Sequence, residues 1–169
     1  MLKSFQKFEV NFDNKQYFVI HAARQTGKTT LLKSLVNQLN EEGTYYALYC
    51  SLEAVQGIKD PEVGIGEIIN NIEKALYFEK IEAKENFAKD VDPKKFTTSL
   101  YLSLAKFSEE LGKPFVLLFD EADCLSNGTL ITFLRQLRDG YVNRGNIPFV
   151  HSIALVGMRD IRDYKAKIR

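Results

Sequence analysis

Apolar and polar positions along the chain switch repeatedly between two periodicities. Gln16–His21 (QYFVIH) is a short apolar run that reads as a buried strand. From about Lys28 to Asn40 apolar residues recur every three or four positions, and Leu31, Leu32, Leu35, Val36 and Leu39 share one helical face. Gly43 is a good stop for that helix. Thr44–Cys50 (TYYALYC), rich in Tyr, is the second strand. Asp60-Pro61 supplies an N-cap and a proline at the first helical position, opening a helix to about Lys80 with Val63, Ile65, Ile68, Ile69, Ile72 and Leu76 as its apolar face. Residues 79–95 are highly charged and read as a solvated connection. A third helix spans about Thr98 to Leu111, ended by Gly112. Phe115–Phe119 (FVLLF) is continuously apolar, as a central strand buried on both faces must be. Thr129–Asp139 is a helix with Leu130, Phe133, Leu134 and Leu137 inward and Gly140 behind it; Ile153–Val156 (IALV) is the last core strand. Strands alternating with helices predict an α/β layered fold.

Composition narrows the class. The 169 residues suit one domain, 1–169, and 45% hydrophobic with 27% charged residues excludes a collagen or a largely disordered chain. The net charge of +1 gives no global electrostatic case for nucleic acid or membrane. The charge is uneven, however. Residues 135–169 carry eight basic and three acidic groups, a basic end that is usually a solvated face and otherwise meets phosphate, DNA or an acidic partner. Cys50 and Cys124 are too few for a disulfide framework and sit in or beside apolar runs, as buried reduced thiols do. No stretch approaches the roughly 20 apolar residues of a membrane span, and the start lacks the apolar core of a signal peptide. These features point to the cytoplasm, with no membrane partner.

The chemistry concentrates at two strand ends. His21–Thr30 reads HAARQTGKTT, which matches A-x-x-x-x-G-K-T from Ala22 to Thr29 between a strand and an amphipathic helix. Backbone N–H groups through Ala23, Arg24, Gln25, Thr26, Gly27, Lys28, Thr29 and Thr30 would converge on a phosphate at the helix N-terminus, where the helix dipole favours negative charge. Gly27 allows close backbone approach, Lys28 supplies a point charge for the β- and γ-phosphates, and the Thr29 hydroxyl can ligate Mg²⁺. Lys28 is expected to be exposed at the helix start, so that its loss would leave the fold intact. Phe115–Glu121 reads FVLLFDE, an apolar strand ending in two carboxylates. Asp120 would hold Mg²⁺ through its waters, and Glu121 would polarise an attacking water as general base. In open α/β sheets ligands bind at the carboxyl ends of the strands, so both motifs point at one site.

Gly157-Met158-Arg159-Asp160 follows the last strand at the same edge. Arg159 is a candidate for sensing the γ-phosphate, and a salt bridge to Asp160 or Asp163 is an equal reading. Ser152 stands too early on the strand for that role. Arg135, Arg138 and Arg144 are candidates for an arginine finger on a neighbouring copy, although a solvated helix face is the stronger reading for each. His21 and His151 have no metal-ligand spacing with the cysteines. Phe5, Phe8 and Phe12 could pack on an adenine but are more often core or edge residues.

With both motifs in place, the chain resembles the bacterial and archaeal AAA-like ATP-binding proteins, P-loop NTPases that carry a catalytic glutamate beside the second-motif aspartate. The stretches YFVIHAARQTGKTTLL, YYALYCSLEAVQG, VLLFDEADCL, TLITFLRQLRDGYVNR and SIALVGMRDIRDYK carry the resemblance. It implies a three-layer core with a parallel sheet in the order 5-1-4-3-2 and helices on both faces. It also implies ATP and Mg²⁺ as ligands, hydrolysis to ADP and phosphate that drives or gates a partner, and a candidate homo-oligomer. Ala22 replaces the first glycine of the usual pattern, and a helical lid of the family's kind has no place in 1–169. A nucleotide-gated assembly or signalling switch with slow turnover is the alternative. Asp120–Asp123 also spells D-E-A-D, but the further motifs of an RNA helicase are not found, which places that reading lower.

Overall fold

The computed structural model describes residues 12–21 and 27–157. Among the described residues four strands and four helices follow in chain order: β1 (Tyr17–His21), α1 (Lys28–Glu42), β2 (Tyr46–Ser51), α2 (Pro61–Tyr77), α3 (Ser99–Leu111), β3 (Phe115–Asp120), α4 (Asn127–Asn143) and β4 (Ser152–Gly157). The strands form one parallel sheet in the order β1-β4-β3-β2. This is the 1-4-3-2 part of the expected order; a fifth strand outside β1 is not among the described residues.

Side-chain alternation along the strands divides the core in two. Ala47, Val116, Leu118, Ala154 and Val156 point to the face covered by α1, where Leu32, Leu35, Val36 and Leu39 meet them. Their odd-even partners Tyr46, Leu48, Cys50, Phe115, Leu117, Phe119, Ile153 and Leu155 point to the other face, where α2, α3 and α4 pack. The result is three layers, with β3 and β4 buried along their whole length. β3 and β4 are therefore continuously apolar except at their ends, as parallel strands covered on both faces must be.

Local signals explain the helix boundaries. The Asp60 carboxylate accepts from Glu62 N at 2.9 Å and Val63 N at 3.2 Å, capping α2 ahead of its proline. Gly43 stops α1 in the left-handed conformation (φ 79°), with its N–H on the Leu39 carbonyl. Two expectations need correction. Gly140 does not end α4, which continues to Asn143; the glycine is buried because the Phe149 ring lies against it, leaving no room for a Cβ. The segment 79–95 is not simply a solvated connection. It contains a 3₁₀ turn at Glu82–Asn86, and Phe87, 3% exposed, stacks edge-on against Phe107 of α3. Just after it, Phe96 offers its carbonyl to buried Gln136 of α4, which also accepts from Tyr101 N. Apolar residues scattered without a regular spacing through a charged stretch give no periodicity, so only the tertiary contact reveals the role of Phe87.

Candidate functional site

β1, β3 and β4 end at one edge of the sheet, where His21 pairs with Gly157 and Phe119 with Leu155. α1 starts at that edge. Asp120 is in phase with Val116 and Leu118, so its side chain points to the α1 face. Period two in the strand thus aims this carboxylate at the first turn of the helix that follows β1.

Gly27 precedes α1 with φ 72° and ψ 17°, a left-handed conformation that a Cβ would strain. It makes no side-chain cap, and the first turn of α1 contains no acidic residue. The helix therefore presents its positive end without a carboxylate of its own in that turn. Lys28 Nζ lies 3.1 Å from Glu121 Oε1 and 3.3 Å from Asp120 Oδ1. Thr29 Oγ1 donates to Asp120 Oδ2 at 2.9 Å. The structure thus brings Gly27, Lys28, Thr29, Asp120 and Glu121 together. Thr30, in the same first turn, is exposed. Ala22, Ala23, Arg24, Gln25, Thr26 and Arg159 lie outside the described residues, as do Phe5 and Phe8.

Asp120 is 1% exposed and accepts four hydrogen bonds or ion-pair contacts. Besides Lys28 and Thr29, its own neighbour Glu121 N donates to Oδ1 at 2.9 Å, and the Tyr49 hydroxyl donates to Oδ2 at 2.7 Å. A carboxylate has about four lone-pair sites, so this one is fully satisfied despite its burial. Burial and the bond to Asp120 push the Tyr49 phenol well above the ordinary tyrosine range, which keeps it a donor. Burial works to lower the Lys28 pKa, but the hydrogen bond from Lys28 to Glu121 and the charges of Asp120 and Glu121 outweigh it, and the net shift is upward. Lys28 was expected to be exposed; its side chain is only 11% exposed, because the two acids draw it back over the sheet edge.

Glu121 adopts the left-handed conformation at φ 56° and ψ 36°. Such a non-glycine backbone costs of the order of 1–3 kcal/mol and is found where the surroundings enforce it. Here the carbonyl of Glu121 accepts from Cys124 N at 3.0 Å, closing a 3₁₀ turn at Ala122–Cys124, while the side chain reaches Lys28. The turn places ligand atoms of Glu121, Asp123 and Cys124 within 4.8 Å of one another at the same mouth. Burial and the carboxylates of Asp123 and Glu121 push the Cys124 thiol up to about 11, so it is a poor nucleophile at neutral pH. A Cβ on Gly157 would come within 2.7 Å of Asp123 Oδ1, so the end of β4 depends on glycine to pass this turn.

Several of the other described candidates lie elsewhere. Arg144 stacks on Tyr141 at 4.0 Å and donates to the carbonyls of Lys15 and His151, at the opposite end of the sheet. Arg135 and Arg138 are exposed on α4. Ser152 is buried at the start of β4, far from the acids along the strand, and its hydroxyl donates to the Phe12 carbonyl. His151 also bonds that carbonyl, at 2.8 Å, and Phe12 itself is a core residue. Cys50 and Cys124 are free thiols. Tyr49 and Asp123 are the members of this edge that sequence reasoning missed. The one available signal for Tyr49 was the tyrosine-rich character of its strand.

The donor set suits a hard cation. Asp120 Oδ2 and Thr29 Oγ1 are adjacent oxygens, and Mg²⁺ takes oxygen ligands from one or two protein groups together with waters and substrate phosphates. Because the Thr29 hydroxyl spends its proton on Asp120, its lone pairs remain for such an ion.

Comparison with known proteins gives the lineage. No curated protein matches the chain. The structure is similar to the crystal structure of Cdc6p from Pyrobaculum aerophilum, at 17% identity and a TM-score of 0.58. That likeness covers 94% of this chain and 38% of the other, so the chain spans well under half of that protein, and at this identity the likeness speaks for the fold. Among the described residues no helix is long and apolar enough to cross a membrane. A family model described as an AAA domain matches residues 11–164. With nearly the whole chain inside that match, the protein belongs to the AAA domain family.

Proposed function

We propose that the chain is an ATP-binding AAA core, 1–169, which hydrolyses ATP to ADP and phosphate with Mg²⁺ and uses the cycle to drive or gate a partner. The observation that carries this reading is the contact between the start of α1 and the end of β3, where Lys28 and Thr29 meet Glu121 and Asp120. The backbone N–H groups from Ala23 to Thr30 are assigned to the phosphates. Lys28 leaves the two acids to neutralise the β- and γ-phosphates, and its long stem makes that exchange of partners a matter of side-chain rotation. Thr29 and Asp120 would hold Mg²⁺, which when bound neutralises charge on the phosphate oxygens. Glu121, released by Lys28, orients a water and takes its proton. Arg159 is assigned to the γ-phosphate from the end of β4. A homo-oligomer, an unidentified protein or DNA partner and a cytoplasmic setting complete the proposal.

A second reading, a nucleotide-gated switch with slow turnover, has one observation in its favour. The 3.1 Å bond from Lys28 occupies the candidate base, so hydrolysis requires that bond to open first. Phosphate release by wild type and by Glu121→Gln separates the two. Loss of a general base is expected to slow release about 10²–10⁴-fold while nucleotide still raises the melting temperature. Equal release by both proteins would refute Glu121 as the base. A wild type that binds Mg·ATP and releases no phosphate would leave the switch in place of the ATPase.

A further inference from the structure

Asp120 Oδ2 accepts from two hydroxyls on different elements, Thr29 of α1 at 2.9 Å and Tyr49 of β2 at 2.7 Å. These two donors are not equivalent. Thr29 is itself assigned to the cation, and Lys28 on the other oxygen must depart when phosphate arrives. The donors that stay through the exchange are Glu121 N, at 2.9 Å on Oδ1, and the Tyr49 hydroxyl on Oδ2. We propose that Tyr49 is a positioning residue that fixes the orientation of the Asp120 carboxylate for the divalent cation, an inference that rests on the Mg·nucleotide reading above.

The fold gives Tyr49 this place. Tyr49 pairs with Leu118 and Ser51 with Asp120 in the β2–β3 register. Tyr49 therefore stands two residues behind Asp120 on the neighbouring strand and, by the period of two, on the same face of the sheet. A tyrosine side chain leans along the strand and has only two main torsions, so its hydroxyl reaches the carboxylate with little freedom to lose. The ring packs against the α1-side core, and Lys33 of α1 sits with Nζ 5.2 Å from the ring centroid. With the ring held on two sides, the hydroxyl is a fixed donor. A fixed donor on one oxygen, opposite the backbone N–H on the other, stops the carboxylate turning about its χ2 torsion once Lys28 has gone.

Tyr49→Phe removes the hydroxyl and keeps the ring. The test titrates Mg²⁺ into protein saturated with ADP and follows the melting temperature, beside an ADP titration in EDTA and a melt without ligand. Loss of an outer partner of a metal-binding carboxylate is expected to raise the half-saturating Mg²⁺ concentration about 10–100-fold. ADP affinity in EDTA should stay within about twofold of wild type, and phosphate release should recover at saturating Mg²⁺. An unchanged Mg²⁺ midpoint, with wild type still binding Mg·ADP, overturns the role of Tyr49 and leaves the nucleotide reading standing. An equal loss of ADP affinity in EDTA also overturns it, because that marks a general distortion. If wild type shows no response to ADP with or without Mg²⁺, the nucleotide reading itself fails and Tyr49 loses its role with it.

Discussion

Replacing Lys28 by Ala should destabilise the fold even when no nucleotide is present. A lysine on an open helix start would be nearly silent, within about 0.5 kcal/mol of wild type. Lys28 is different, because its ammonium lies 3.1 Å from Glu121 and 3.3 Å from Asp120, with only 11% of the side chain exposed. Hydrogen bonds to charged groups contribute about 1.5–3 kcal/mol. Glu121 is 31% exposed, so solvent screening discounts its share. Asp120, at 1%, keeps its share, although Thr29, Tyr49 and Glu121 N still satisfy the carboxylate after the change. A cation at a helix N-terminus opposes the dipole, and its removal returns about 0.3–1 kcal/mol. The net expectation is a loss of about 1–2 kcal/mol, read as a fall of roughly 2–8 °C in melting temperature for a chain of this size. The pH dependence has a definite sign. The folded Lys28 pKa is raised, so its contribution is fully present below the ordinary value of 10.5 and is lost only as pH rises through the folded value. The gap between the two proteins should therefore be equal at pH 6 and pH 9. Melts in EDTA without nucleotide check this, and a Lys28→Ala protein as stable as wild type would refute the ion-pair argument.

Three further expectations concern packing, helix propensity and pH. Gly140→Ala places a Cβ 2.1–2.3 Å from three Phe149 ring atoms, and that ring is 8% exposed and stacked on Tyr101, so the clash should outweigh the helix-propensity gain and cost about 1–3 kcal/mol. Gly66→Ala, in the interior of α2 with nothing within 4 Å of its new Cβ, should instead gain about 0.5–1 kcal/mol; urea midpoints of the two proteins should move in opposite directions. Burial lowers the His151 pKa, with help from the Lys15 and Arg144 charges and against the Phe12 carbonyl and Asp13. The unfolded chain then takes up the proton first, so stability falls as pH drops below about 6.5 toward the folded value, and His151→Gln should flatten that part of the slope in urea melts from pH 5 to 7.

Much of the edge that forms the candidate site was legible in the chain. Gly27, Lys28 and Thr29 stand where a strand-turn-helix starts its helix, and Asp120 and Glu121 end an apolar run that reads as a buried strand. Each signal is local, because capping, helical periodicity and continuous strand hydrophobicity act within a few residues. The same locality explains the failures. Gly140 looks like a helix stop until Phe149 is placed against it, and Phe87 looks solvated until Phe107 meets it.

The sequence alone determined the order of strands and helices and the positions at which phosphate and metal chemistry could occur. Strand order was anticipated only through the family resemblance, and register and the resulting juxtapositions were decided in three dimensions. That Lys28 folds back onto two acids, that Asp120 takes a hydroxyl from Tyr49 on the next strand, and that Glu121 is held left-handed all depend on which strand lies beside which. The reason is physical: propensity and periodicity are sums over neighbours in the chain, whereas a hydrogen bond between residues 71 positions apart exists only once the sheet has set their separation.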